Sequence, residues 1–81
     1  MKKYYFIKTN GYNMVASVSE DECRYITENN EFPILPDDPE KQEEVARKFL
    51  ESIEDDSSWE DDCTEEEVLE AGDIIAEITE E

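Results

Sequence analysis

Positions 55–67 hold eight carboxylates, Asp55, Asp56, Glu60, Asp61, Asp62, Glu65, Glu66 and Glu67, with Trp59 among them. At that density carboxylates could support paired acid–base catalysis, oxygen coordination of a hard cation, or charge-assisted pairing with the arginines and lysines of a partner. The rest of the chain bears on the first two. It contains no histidine, which removes the commonest general base, nucleophile activator and metal ligand. The two thiols, Cys23 and Cys63, both sit among acids, where negative surroundings raise a thiol's pKa and lower its thiolate content. A chain of 81 residues also leaves little room for an enclosed pocket, so no enzymatic activity is expected. A calcium loop needs alternating oxygen ligands and a central glycine. Counted from Asp55, its third, fifth and sixth positions fall on Ser57, Trp59 and Glu60, and the motif fails. Weak, nonspecific binding of Ca²⁺ or Mg²⁺ is expected, with no dedicated metal site and no cofactor.

Partner recognition is the remaining chemistry, and the charge distribution favours it. The net charge is −18, but residues 1–19 carry only Lys2, Lys3 and Lys8, while residues 49–81 carry fifteen acids and no base. Like charges crowded on a small domain oppose folding by self-repulsion, and solubility needs a net charge of only about 2–8. The acidic surface has three readings: a solvated exterior without a partner, an interaction module for a basic protein, and a nucleic-acid mimic. Carboxylates three or four residues apart on a helix sit about 5–6 Å apart, and a DNA strand presents one phosphate per about 3.4 Å of rise. An ordered array would engage the cations that grip phosphates at lower entropic cost than a floppy tail. The leading expectation is a non-enzymatic inhibitor occupying a nucleic-acid-binding cleft through Asp55, Asp56, Glu60, Asp61, Asp62, Glu65, Glu66 and Glu67. The alternative is an acidic adaptor whose protein partner has no connection with nucleic acids. Trp59 reads either as a core residue capping the preceding helix or as an interface anchor against an arginine-rich partner. Direct nucleic-acid binding is not expected, since phosphate contact needs a basic patch. The three lysines read instead as charges protecting an edge strand.

These residues must be positioned by a small α+β domain, expected to span 1–81. Residues 3–18 pattern as a β-hairpin around Asn10-Gly11, a type I′ turn signal, pairing Ile7 with Met14 and Tyr5 with Ala16. The face bearing Tyr5, Ile7, Tyr12, Met14, Ala16 and Val18 is the better core face; the face bearing Tyr4, Phe6, Lys8, Asn13, Val15 and Ser17 is mixed, so one side of the sheet is expected to stay partly wet. Ser19-Glu20-Asp21-Glu22 matches a capping box and points to a short helix over about 20–28, with a strand through Cys23–Thr27 as the competing reading. Phe32-Pro33-Ile34-Leu35-Pro36 is an extended connector. Asp38 and Pro39 open the clearest helix, 39–54, whose Val45, Ala46, Phe49, Leu50 and Ile53 share one face. Thr64-Glu65-Glu66-Glu67 is a second capping box, starting a short helix with Val68 and Leu69 inward and Gly72 as its stop. Residues 73–79 form a last strand joining the hairpin. The expected architecture is a small antiparallel sheet, hairpin plus C-terminal strand, packed on one main helix and two short ones.

No apolar run approaches the roughly 20 residues of a membrane span, and the apolar stretch after Lys2-Lys3 is too short for a signal peptide. A cytoplasmic location follows as the expectation. There the two cysteines would be reduced, partly buried thiols; one disulfide would be open to them in a secreted chain. A monomer or a dimer through an uncovered edge strand is expected.

The aromatic hairpin, the helical segment Lys48-Phe49-Leu50-Glu51-Ser52-Ile53, the following Trp59 and the acidic run Glu60–Glu67 together resemble the small acidic anti-CRISPR proteins of phages and mobile elements, in particular type II-A inhibitors that block the PAM-binding cleft of an RNA-guided nuclease. The resemblance is one of layout over roughly residues 45–70. It implies a competitive mechanism in which carboxylates pair with the arginines that would read the PAM or grip DNA. It also implies a CRISPR nuclease as the basic partner, in the cytosol of the host cell.

Overall fold

The computed structural model describes residues 2–28, 32–54 and 59–80. The hairpin forms as its alternation requires. Strand β1 (Lys2–Lys8) pairs antiparallel with β2 (Asn13–Ser19), with Ile7 opposite Met14 and Tyr5 opposite Ala16. The turn differs from the expected type I′. Gly11 has φ of 115°, whereas no non-glycine residue among those described has positive φ, so Asn10 stays on the ordinary side. The reversal is closed by Thr9 N–H donating to the Tyr12 carbonyl and Gly11 N–H to the Thr9 carbonyl, both at 3.0 Å.

The segment after β2 is a strand, β3 (Cys23–Glu28), antiparallel to β2, and not the short helix expected over 20–28. The bonds behind the capping-box reading are nevertheless present. The Ser19 hydroxyl accepts from Glu22 N–H at 3.2 Å, and Ser19 N–H donates to the Glu22 carbonyl at 2.8 Å. The same local bonds close a four-residue hairpin turn, and pairing with β2 decides that the chain continues extended. A capping motif satisfies backbone donors locally but does not supply the tertiary contact that makes a short helix persist.

Helix α1 (Pro39–Glu54) starts as expected, with the Asp38 carboxylate accepting from Glu40 N–H at 3.0 Å. Arg47 and Lys48 pair with Glu43 and Glu44 one turn back. Helix α2 (Glu65–Glu70) is capped by the Thr64 hydroxyl, which accepts from Glu67 N–H at 3.2 Å. Its Val68 is buried, but Leu69, expected inward, is exposed. Strand β4 (Asp73–Glu80) joins β1 antiparallel, completing a four-stranded sheet in the order β3-β2-β1-β4.

Both sheet faces are covered. Tyr4, Phe6, Val15, Ile26 and Ile78 pack against Ala46, Leu50 and Ile53 of α1. On the opposite face Tyr5, Ile7, Met14 and Ala16 pack with Val68 of α2. The larger core therefore lies on the face that the hairpin alone marks as mixed. Strands β3 and β4 add Ile26 and Ile78 to it, and α1 brings the longer apolar stripe. Phe32 of the connector completes it, with ring centroids 5.3 Å from Phe6 and 5.6 Å from Phe49.

The lysine-bearing strand β1 is central, not an edge. Lys3 pairs with Glu77 of neighbouring β4 at 3.4 Å, and Lys2 lies over the Tyr4 ring. The basic strand thus offsets the charge of an acidic neighbour. Edge protection falls to β4, whose Asp73, Glu77 and Glu80 are exposed.

Gly72 follows α2, but it does not take the left-handed conformation of a C′ glycine. Its requirement is space: a Cβ there would sit 2.5 Å from the Lys8 carbonyl oxygen and 3.0 Å from Thr9 Cα. Gly72→Ala is accordingly expected to cost about 1–3 kcal/mol through backbone overpacking. A urea titration checks this; an unchanged midpoint would show that the Lys8–Thr9 turn yields freely.

Candidate functional site

From Trp59 onward the acidic segment crosses the edge of β3 and enters α2. Trp59 fastens its start. The indole Nε1 donates to the Ile53 carbonyl at 3.1 Å, satisfying a C-terminal carbonyl of α1 that has no intrahelical donor. The ring packs against the main core and carries the Arg24 guanidinium 4.8 Å from its centroid. This is the helix-capping geometry of the core reading, with a cation from β3 stacked upon it.

The next residue pairs with the sheet. Glu60 and Tyr25 exchange two backbone hydrogen bonds, 2.9 Å from Tyr25 N–H and 2.8 Å from Glu60 N–H, so the segment caps the β3 edge for one antiparallel bridge. The Tyr25 hydroxyl then donates to the Glu60 carboxylate at 2.7 Å, and this bond, ahead of the nearby charge, raises the phenol's pKa. On the same face of the sheet, two strands away, Tyr5 donates to Glu65 at 3.4 Å; burial is the main cause of its raised pKa. Two phenols thus hold two of the acids, one on the crossing segment and one on α2.

Glu60, Asp61, Asp62, Glu65, Glu66 and Glu67 are all solvent-exposed. Among the described residues, four of the seven basic side chains ion-pair elsewhere: Lys3 with Glu77, Arg24 with Glu22, Arg47 with Glu43 and Glu80, and Lys48 with Glu44. The acidic row has no such partner within 4 Å. Acids in the first turn of α2 are stabilised there by the helix dipole. Asp55 and Asp56, which begin the row in the sequence, lie outside the described residues.

Beside the row is a shallow groove of about 200 Å³ lined by Tyr12, Met14, Tyr25, Asp62, Cys63 and Glu67, among others. Tyr12, which sequence patterning puts on the core face, is 47% exposed. Cys63 lies on the wall of this groove, with its sulfur 2.9 Å from that of Cys23. Burial, reinforced by the neighbouring thiol and then by Glu67 and Asp61, pushes the Cys63 thiol up from 9.0 to about 12. The direction matches the sequence expectation, but burial leads and the acids follow. Arg24, Tyr25 and Tyr5 were not among the expected site residues. Reading β3 as a strand would have placed Arg24 and Tyr25 on opposite faces of it; nothing local in the sequence links either to residues 59–60.

The raised thiol has a consequence for stability. A thiol is neutral when protonated, so a folded-state pKa above the unfolded value favours folding fully below about pH 9 and loses that contribution as pH climbs through about 12. The unfolding free energy of the reduced protein is expected to fall across this window. Replacing both cysteines with serine should make the fall shallower, as measured by urea titrations at stepped pH. Tyr5, Tyr25 and Lys3, also raised, add to the fall with the same sign.

Among the described residues no three potential metal ligands of the His, Cys, Asp and Glu type converge, and no helix is long and apolar enough to cross a membrane. No family model, curated protein or solved structure matches the chain.

Proposed function

We propose that this protein is a non-enzymatic inhibitor that presents a rigid row of carboxylates to the nucleic-acid-binding cleft of a basic protein, with a type II-A RNA-guided nuclease as the leading target. One observation carries the reading: among the described residues the exposed acids from Glu60 to Glu67 form no ion pair within 4 Å, yet stand on backbone fixed at both ends. Acids left without cations on a floppy segment would be a solvated exterior. Acids pre-positioned by Trp59, the Tyr25–Glu60 bridge and the Thr64 cap meet a cationic cleft with less ordering cost. In the sequence Asp55 and Asp56 precede the row and belong to the same proposed surface, outside the described residues. Trp59 acts from inside, holding the segment. The aromatic surface facing the partner is Tyr12, whose ring shares the groove with Asp62 and Glu67 and suits an arginine seated between aromatic and carboxylate.

The test uses a guide-loaded type II-A nuclease with and without a duplex carrying its PAM. Binding to the free complex, weakening as salt rises and lost once DNA is bound, is the expected result. Equal affinity for the free and DNA-occupied complexes would overturn competition and return the protein to the adaptor reading. No binding to either would remove the nuclease as target.

A further inference from the structure

We propose that Cys23 and Cys63 are a reversible dithiol–disulfide pair whose oxidation latches the acidic crossing segment onto the edge of β3. The residues are forty positions apart in the chain, yet their sulfurs stand 2.9 Å from one another. The approach follows from the sheet. Antiparallel pairing of Tyr25 with Glu60, continued two residues along, sets Cys23 opposite Asp62 and next to Cys63. Both thiols are half-buried and pack at the margin of the smaller core with Val18 and Tyr25.

The latch has a mechanical reason. In the reduced protein, among the described residues, the segment between Trp59 and Thr64 is hydrogen-bonded to the sheet only through Glu60, by one backbone bridge of two bonds and by the Tyr25 hydroxyl on its carboxylate. A covalent bond one turn of pleat away restrains opening of that bridge. The oxidant is a low-molecular-weight disulfide such as oxidised glutathione. A thiolate from one cysteine attacks it, expels one glutathione thiol and forms a mixed disulfide. The second cysteine, losing its proton, attacks the protein sulfur of that adduct and expels the second glutathione. Two protein S–H bonds and the S–S bond of oxidised glutathione break, one protein S–S bond and two glutathione S–H bonds form, and two electrons and two protons pass to glutathione. Burial keeps the Cys63 thiol protonated near neutral pH, which slows the step in which it attacks.

The experiment needs no partner, so its outcome is separate from that of the inhibitor reading. The full chain is equilibrated at pH 8 in oxidised or in reduced glutathione, then analysed by intact mass, peptide mapping and amide hydrogen exchange. In the oxidised sample an internal link between the Cys23 and Cys63 peptides is expected, with exchange at the Tyr25 and Glu60 amides slowed about tenfold or more, and dithiothreitol restores both. Cys23→Ser and Cys63→Ser should each abolish the link and the added protection. Glutathione adducts or linked dimers in place of the internal bond would overturn the pairing. An internal bond that leaves exchange at Tyr25 and Glu60 unchanged would overturn the latch.

Discussion

Phe6→Ala is expected to destabilise the fold by about 3–5 kcal/mol, the usual cost of truncating a fully buried phenylalanine. Phe6 has no exposed surface and stands on the central strand of the sheet. Its ring meets Phe32 at 5.3 Å and Phe49 at 5.7 Å, so one side chain joins β1, the connector before α1, and α1 itself. The remaining pair, Phe32 and Phe49, meets edge to face at 5.6 Å and would line the void. A domain of this size has a total stability of about 4–12 kcal/mol at the usual per-residue rate. The variant should therefore lose about a quarter or more of its total stability. Urea unfolding followed by far-UV circular dichroism measures it, with Tyr12→Ala, exposed on the other face, expected to stay within about 0.5 kcal/mol. A loss below about 1 kcal/mol for Phe6→Ala would mean that the three-ring cluster does not anchor α1.

Reversing Asp61, Asp62 and Glu66 together to lysine is expected to weaken binding to a cationic cleft by about 100-fold or more, since each charge-assisted contact contributes about 1.5–3 kcal/mol and every 1.4 kcal/mol is tenfold. The structure selects these three. Glu60 and Glu65 accept from Tyr25 and Tyr5, and their reversal would disturb the site's own support. The three reversals carry the net charge from −18 to about −12, which relieves self-repulsion. The melting temperature at low ionic strength should accordingly rise, by about 4–8 °C for each kcal/mol relieved. Salt should close that gap, because added ions already screen the parent protein's exposed charges. Affinity and stability are thus expected to move in opposite directions. A variant that binds as tightly as the parent would show the acidic row to be a solvated exterior; one that binds weakly because it has unfolded would betray itself by a lowered melting temperature.

How far this fold could be read in advance depended on the range of the forces involved. The β1–β2 register followed from Asn10-Gly11 and period-two alternation, although Asn10 does not adopt the expected φ. The bounds of α1 followed from Asp38, Pro39 and a stripe of apolar residues, and the start of α2 from the Thr64 cap. These are interactions within a few residues of one another. The segment after Ser19 shows where such reasoning stops: the capping bonds formed, but a neighbouring strand, not a helix, claimed the residues that followed. The preferred core face was misjudged for a related cause, since Ile26, Ile78 and the α1 stripe join the hairpin only in three dimensions. The lysines, read as edge charges, proved central because β4 returns to pair with β1.

The candidate site divides along the same line. From the sequence alone came the acidic block, the absence of histidine and a helix-capping role for Trp59, because composition and proximity in the chain are local properties. Only the tertiary structure decided that Tyr25 and Glu60 form a bridge, that Arg24 stacks on Trp59, that Tyr5 reaches Glu65 from another element, and that two thiols forty residues apart come within 2.9 Å. Each of these joins β1 or β3 to a segment at least 35 residues away. Such contacts arise from strand pairing and from which face each helix covers, and neither is encoded in any short stretch of the chain.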